Sequence, residues 1–259
     1  MDCLREFDDC LPLLQALDKD PSPLQKHFEK LKSGRLGLRF EHFIAYWLII
    51  SPNFEPLTQN LQIIEKMKKG SHTHGELDFI IRNIHTNQVI HMEVAVKFYL
   101  GCEDFNDPYR WFGTNTQDQL GRKVAHLKQH QTQLSNKFDS YLKNLGYHID
   151  KQACFLKGRL FYPQGIDTPP EGVCHNHLRG RWIQSPEESN NDLFYPLDKK
   201  DWLAELKIAD LEKETITAGL SKAEKTQCYA KLTQDYKEID RVFYLADSFT
   251  FPENKEKKQ

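Results

Sequence analysis

The chain has 259 residues, a formal net charge of −2, 28% charged residues and a high aromatic content of 16 Phe, 10 Tyr and 4 Trp. A chain of this length and composition buries a substantial core, which excludes a disordered protein. Near-neutral charge excludes a globally basic nucleic-acid binder, so any basic surface must be local. Six scattered cysteines without a CxxC pair fit a reducing cytosol better than a disulfide framework. The start, MDCLREFDDCLPLL, has acids where a signal peptide wants lysines. The longest apolar run, Phe43 to Ile50, is far short of the roughly 20 residues of a membrane span. The expectation is a soluble, cytoplasmic protein with no membrane partner.

Residues 1–34 are expected to form an N-terminal helical segment packing on the core. Asp20-Pro21-Ser22-Pro23 breaks it, and Leu24, His27, Phe28 and Leu31 form an apolar stripe at helical spacing. Leu36 to Ile50, LGLRFEHFIAYWLII, is apolar nearly all round and reads as a buried helix. Glu41 on that helix needs a partner or a metal if it is buried. Alternatively it lies near the helix start, where the dipole favours an acid.

Leu61 to Met67 reads as a strand, although its apolar residues also fit a helix, and Lys68 to Gly75 reads as a loop. Gly75 to Tyr99, GELDFIIRNIHTNQVIHMEVAVKFY, then reads as two strands joined by a turn at His85-Thr86-Asn87-Gln88. Side chains on a strand repeat every two residues. Glu76 and Asp78 therefore share one face, and His91, Glu93 and Lys97 another; pairing of the strands lets the two acidic faces coincide. His72, His74, Glu76 and Asp78 form an H-x-H-x-E-x-D series that leaves open a transition-metal enzyme built on His72, His74 and Asp78.

Cys102 to Thr116 is expected to be an aromatic loop, and Gln117 to Tyr141 a long amphipathic helix. The faces of that helix carry Arg122, Lys123, His126, Lys128, His130 and Lys137, the strongest local basic patch. Such a patch is either a solvated face or a holder of phosphates. Ala153 to Tyr162 reads as a strand and Pro163 to Gly172 as a loop. A further strand ends in Arg179-Gly180-Arg181-Trp182. Cys174, His175 and His177 lack the second ligand pair that structural zinc requires. Phe194 to Leu206 is read as holding the start of a second aromatic helix. Ser221 to Thr233 is read as a helix capped by Ser221 and Glu224. Arg241 to Ala246 is read as the last strand, and 251–259 as a disordered charged tail.

The chemistry centres on Asp78 and Glu93, with 14 residues between them. Two carboxylates brought together repel and raise each other's pKa. A hard divalent cation, Mg²⁺ or Mn²⁺, removes that problem. Such an ion polarises a phosphoryl oxygen and activates water, and Lys97 could stabilise the developing charge. The bland alternative is a solvent-facing edge hairpin with Glu76 or Glu93 paired to Arg82 or Lys97.

The order helix acid, strand Asp, strand Glu plus Lys resembles the PD-(D/E)xK phosphodiesterase superfamily. More narrowly, GELDFIIR, HMEVAVKFYL, the D-x-L-x-x-K of Asp118, Leu120 and Lys123, and HLRGRW resemble a bacterial family of uncharacterised proteins assigned to that superfamily. The resemblance covers residues 35–250. It implies an α/β restriction-endonuclease-like fold, a central mixed β-sheet flanked by helices, with that range as the nuclease domain. It implies Mg²⁺ or Mn²⁺ on Asp78 and Glu93, with Glu76 beside them, and catalytic roles for Glu41, Lys97 and Lys123. It also implies nucleic acid, DNA before RNA, as the partner, with Arg122, Lys123, His126, Arg179 and Arg181 as contacts. The oligomeric state is left open.

One departure matters. The usual D/E-x-K spacing puts lysine at position 95, which is Ala95 here; Lys97 keeps the face but lies about 6–7 Å farther along the strand. The readings are therefore a metal-dependent nuclease or a catalytically silent member of the same fold that binds nucleic acid or protein.

Overall fold

The computed structural model describes residues 3–67, 70–185, 192–220 and 224–253. In chain order the elements are α1 (Cys3–Lys19), α2 (Ser22–Phe28), α3 (Leu36–Ile50), β1 (Phe54–Lys66), β2 (Ser71–Asn83), β3 (Val89–Gly101), β4 (Trp111–Gly113) and α4 (Leu120–His126). A π-helical turn, Leu127–Gln131, follows. Then come α5 (Leu134–Lys137), α6 (Asp139–Asn144), β5 (Lys151–Tyr162), β6 (Leu178–Ile183), β7 (Leu193–Leu197), β8 (Thr217–Ala218), β9 (Gln227–Leu232) and β10 (Glu238–Tyr244). The protein is mixed α/β, and no helix among the described residues is long and apolar enough to cross a membrane. The chain divides into two compact units, Met1–Val96 with Ala125–Leu156, and Lys97–Val124 with Lys157–Gln259.

In the first unit the strands run in the order β1-β2-β3-β5, with β1, β2 and β3 antiparallel. One face is covered by α3, whose bounds match the apolar run expected from sequence. Ile44, Ala45 and Leu48 of α3 pack with Phe79, Ile81, Ile90, Met92 and Val94. On the other face Leu134, Phe138, Tyr141 and Leu142 cover Ile63, Leu77 and Ile80. Each such fully buried Leu, Ile or Phe contributes roughly 1.5–3 kcal/mol, enough to hold the acids of this hairpin against their own desolvation. The hairpin turn is built as its sequence suggests. The Asn83 side chain accepts from the backbone N–H of His85 and Thr86, both at 3.0 Å, and Asn87 takes a φ of 56°, which Asn tolerates better than most residues.

The period-two pattern of β2 slips at Asp78. Leu77 lies in the cluster with Ile80, whereas Phe79 lies in the cluster with α3. The residue between them is Asp78. Across on β1, between the paired residues Gln59 and Leu61, Asn60 takes a left-handed φ of 53°. Only Gly and, less readily, Asn or Asp adopt that region without a cost of about 1–2 kcal/mol. Asn60→Val should therefore lower the thermal midpoint by roughly 2–8 °C, from a cost of about 1–2 kcal/mol, while Asn60→Gly leaves it nearly unchanged. Equal melting of the two variants would refute a conformational role for Asn60.

The second unit contains a mixed sheet ordered β3-β5-β6-β10-β9-β7-β8, with β4 on β3. β5, β6 and β10 are parallel neighbours, and β10, β9, β7 and β8 continue antiparallel. Its core holds Leu100, Phe161, Leu197, Leu232, Phe243 and Leu245, with Trp182 and Trp202 packed against them. Arg241 is 1% exposed. Its guanidinium is satisfied by both oxygens of Glu238, at 2.5 and 3.0 Å, and by the carbonyls of Asp201 and Ala204, the full pairing a buried charge requires.

Four local expectations are corrected. Lys68 to Gly75 is not a continuous loop, because β2 already begins at Ser71 and carries His72 and His74. The long helix over 117–141 is broken into α4, the π turn, α5 and α6; the Thr132 N–H bonds back to the Leu127 carbonyl at 2.9 Å, five residues away. Phe194 to Leu206 opens as strand β7, followed by a 3₁₀ turn at Lys199–Leu203. Gln227–Leu232 is strand β9, because Cys228, Ala230 and Leu232 are buried alternately with half-exposed neighbours, a period of two that outweighed the capping signal; Ser221 lies outside the described residues. Of the tail, 254–259 also lies outside them, and Phe251 packs against Trp182, Phe249 and Phe112.

Candidate active site

The β2–β3 ladder is regular from Arg82↔Val89 to Phe79↔Met92, and one step farther in that register Asp78 faces Glu93. At that step side chains join the main chains instead. The Asp78 N–H points to Glu93 Oε1 at 3.4 Å, and the Val94 N–H donates to Asp78 Oδ2 at 2.8 Å. Each acid is thus tied to the main chain of the opposite strand, beside the other acid.

Glu93 is fully buried. Its Oε1 lies 2.8 Å from His91 Nε2, and its Oε2 accepts from Gln131 Nε2 at 2.8 Å. His91, also fully buried, places Nδ1 3.0 Å from Ser135 Oγ. With His91 Nε2–H as the donor to Glu93, the Nδ1 side of the ring is left to the Ser135 hydroxyl. The π turn ends at Gln131; extra residues of this kind in helices concentrate at functional sites.

Asp78 is pushed up to about 7, first by burial, then by Glu93, with Glu41 and Glu76 adding to it; the Val94 N–H pulls the other way. Glu41, half-buried on α3, is raised by burial and then by Glu76 and Glu93. Glu76 is exposed and accepts from Gln62 Nε2 at 3.3 Å. Like charges that raise each other in this way are the arrangement a hard cation relieves. Among the described residues, no three His, Cys, Asp or Glu side chains are set to hold a metal ion together. The donor set that is assembled is a pair, Asp78 and Glu93. One or two carboxylates, with waters and substrate phosphate completing the shell, are what Mg²⁺ takes, so the pair fits that ion or Mn²⁺. The triad with Glu76 is not assembled. Nor is a His72–His74–Asp78 set: His74 Nε2 lies 2.8 Å from Glu65 Oε2, with its ring against Phe138 and His72.

In the second unit Lys97 Nζ is 2.5 Å from Asp118 Oδ2, and Asp118 Oδ1 accepts from the Tyr99 hydroxyl at 3.3 Å. Burial and then Asp118 raise the Tyr99 phenol above its ordinary value, so it stays a donor. Arg122 is exposed and Lys123 half-buried. Arg179 bonds to Asp167 Oδ1 at 2.8 Å and to the carbonyls of Asp167 and His175. Arg181 Nε bonds to Asp240 Oδ2 at 2.7 Å. Both arginines expected to meet phosphate therefore already carry a carboxylate partner. In the first unit His126 is exposed, with Nδ1 3.2 Å from Gln131 Oε1 and its ring stacked on His130.

Sequence reasoning singled out Asp78, Glu93 and Glu41, and the structure couples these three. It missed the contacts that His91, Gln131 and Ser135 make around Glu93. His91 was visible as the same-face neighbour of Glu93, whereas Gln131 and Ser135 were hidden by the π turn that aims them. The chain matches none of the curated proteins and none of the solved structures with which it was compared. A family profile described as Domain of unknown function (DUF1853) matches residues 3–244, nearly the whole chain, and the protein belongs to that family.

Proposed function

We propose that this chain is a divalent-metal-dependent nuclease that hydrolyses phosphodiester bonds, DNA before RNA, on a restriction-endonuclease-like fold of the PD-(D/E)xK type. The observation that carries the reading is the pairing of Asp78 with Glu93 at the end of the β2–β3 ladder, where Glu93 is fully buried and Asp78, half-buried, is repelled by its neighbours. Asp78 and Glu93 would hold Mg²⁺ or Mn²⁺ through the lone pairs that Asp78 Oδ2 and Glu93 Oε2 keep beyond their single hydrogen bonds. The ion supplies Lewis-acid polarisation of the phosphoryl group and an activated water. In this reading Glu41 is the helix acid, holding its proton more tightly than an exposed glutamate. Separate Lys97→Met and Lys123→Met substitutions test whether cleavage needs either lysine.

The test is nicking of supercoiled DNA in Mg²⁺ or Mn²⁺. Cleavage should vanish in EDTA. It should fall in Asp78→Asn and Glu93→Gln by more than the roughly 10–100-fold that outer-shell changes cost. Cleavage that persists in EDTA, or that Asp78→Asn leaves untouched, would sink the proposal. A second reading, a silent member that binds nucleic acid without cutting, is favoured by Ala95 at the usual lysine position and by the engagement of Lys97 with Asp118. Retained DNA affinity with no turnover in either metal selects it.

A further inference from the structure

We propose that His91 and Gln131 are positioning residues, locking the Glu93 carboxylate beside Asp78 for the cation, and that Ser135 locks His91 in turn; this rests on the metal-site reading above. The case is geometric. Glu93 is fully buried on β3, where a glutamate with three side-chain torsions would be held by nothing but sterics unless both oxygens were bonded. They are: Oε1 by His91 and Oε2 by Gln131, each at 2.8 Å. His91 shares the face of Glu93 two residues earlier on the same strand, so its reach is fixed by the strand repeat. Its ring is set by the Ser135 hydroxyl at 3.0 Å on the other nitrogen. Gln131 arrives from a different element, at the last residue of the π turn, and the His126 ring nitrogen lies near its amide oxygen. With that oxygen beside His126, the amide keeps its N–H₂ end on Glu93.

Two side-chain donors, one on each oxygen, hold the carboxylate in one rotamer, with one lone pair on Oε2 beyond the bond to Gln131. Without them, an ion binding at Asp78 would have to order Glu93 as well. Outer-shell donors of this kind typically carry 10–100-fold in metal affinity.

The experiment is Mn²⁺ binding to the full chain, followed by the electron paramagnetic resonance of the free ion, with thermal melting as a folding control. The variants are Gln131→Leu, His91→Ala, His91→Gln, Ser135→Ala and Asp78→Asn. Gln131→Leu keeps volume at a half-exposed position and carries the decision if His91→Ala does not fold. His91→Gln places an amide N–H where the ring Nε2–H stood. The expected result is a Kd for Mn²⁺ raised about 10–100-fold in Gln131→Leu and His91→Ala, and restored to within about threefold in His91→Gln. Wild-type affinity in Gln131→Leu and in a folded His91→Ala, with binding lost in Asp78→Asn, would overturn the positioning role and leave the metal site standing. No Mn²⁺ uptake by the wild type, or uptake unchanged by Asp78→Asn, would overturn the metal site and the positioning role with it.

Discussion

Asp78→Asn is expected to make the metal-free protein more stable at pH 8, by about 2–4 kcal/mol, and no more stable at pH 4. The sign follows from the direction of the shift. In the folded chain Asp78 holds its proton up to about 7, against an ordinary value of 3.8. The folded state therefore binds that proton more tightly than the unfolded one. The resulting stability is fully present below about 3.8 and is lost as pH rises through about 7. Above that, the wild type carries a shielded negative charge facing Glu93, Glu41 and Glu76. The interval from 3.8 to about 7 corresponds to about 4 kcal/mol at most, and the partial solvent access of Asp78 lowers it. Asparagine has the same shape, its carbonyl oxygen can still accept from the Val94 N–H, and its amide can donate towards Glu93.

Urea denaturation in EDTA from pH 4 to pH 8 measures the difference, and parallel curves for the two proteins would refute it. Millimolar Mg²⁺ should then stabilise the wild type and leave the variant unmoved, by about 2.7 kcal/mol at a hundred times the dissociation constant. The same substitution is thus expected to gain stability and lose cleavage. Residues at working sites commonly show that trade-off.

Gly158→Ala should prevent the second unit from folding, or lower its stability by roughly 4 kcal/mol or more. Gly158 lies on β5 with a φ of 146°, and a Cβ built there would sit 1.6 Å from the Lys97 carbonyl oxygen and 2.7 Å from its carbonyl carbon. The obstacle is main chain of β3 and cannot rotate aside as a side chain would. Glycine within a strand marks this kind of close backbone approach. Gly165→Ala is the control: its φ of 79° carries strain, but nothing lies within 4 Å of the added carbon, so its cost should stay near 1–2 kcal/mol. Soluble yield and thermal melting compare the two. Comparable melting temperatures would show that β3 and β5 separate at little cost.

How far the amino-acid order reaches can be read from particular elements. The extent of α3 was legible because its fifteen-residue run is largely apolar, but the expected all-round burial was not met: only Ile44, Ala45 and Leu48 are buried, and Ile49 is exposed. The β2–β3 hairpin was legible because a period of two and an Asn-containing turn are local signals. β9 was misread because a capping box is also local, and burial of Cys228, Ala230 and Leu232 in a sheet, a tertiary effect, outweighed it. The helix after β4 was legible as helical but not as broken, because the extra residue of the π turn is set by what Thr132 and Gln131 meet.

The sequence by itself determined that acids sit on a half-buried hairpin, that Glu41 precedes them on an apolar helix, and that lysine is missing at Ala95. Only the tertiary structure decided that Asp78 and Glu93 meet, because the pairing register that sets them opposite each other is fixed by the packing of the strands. Only it decided that Glu93 is gripped by His91 and Gln131. Contacts between residues 38 apart depend on the packing of whole elements, and no local period encodes them.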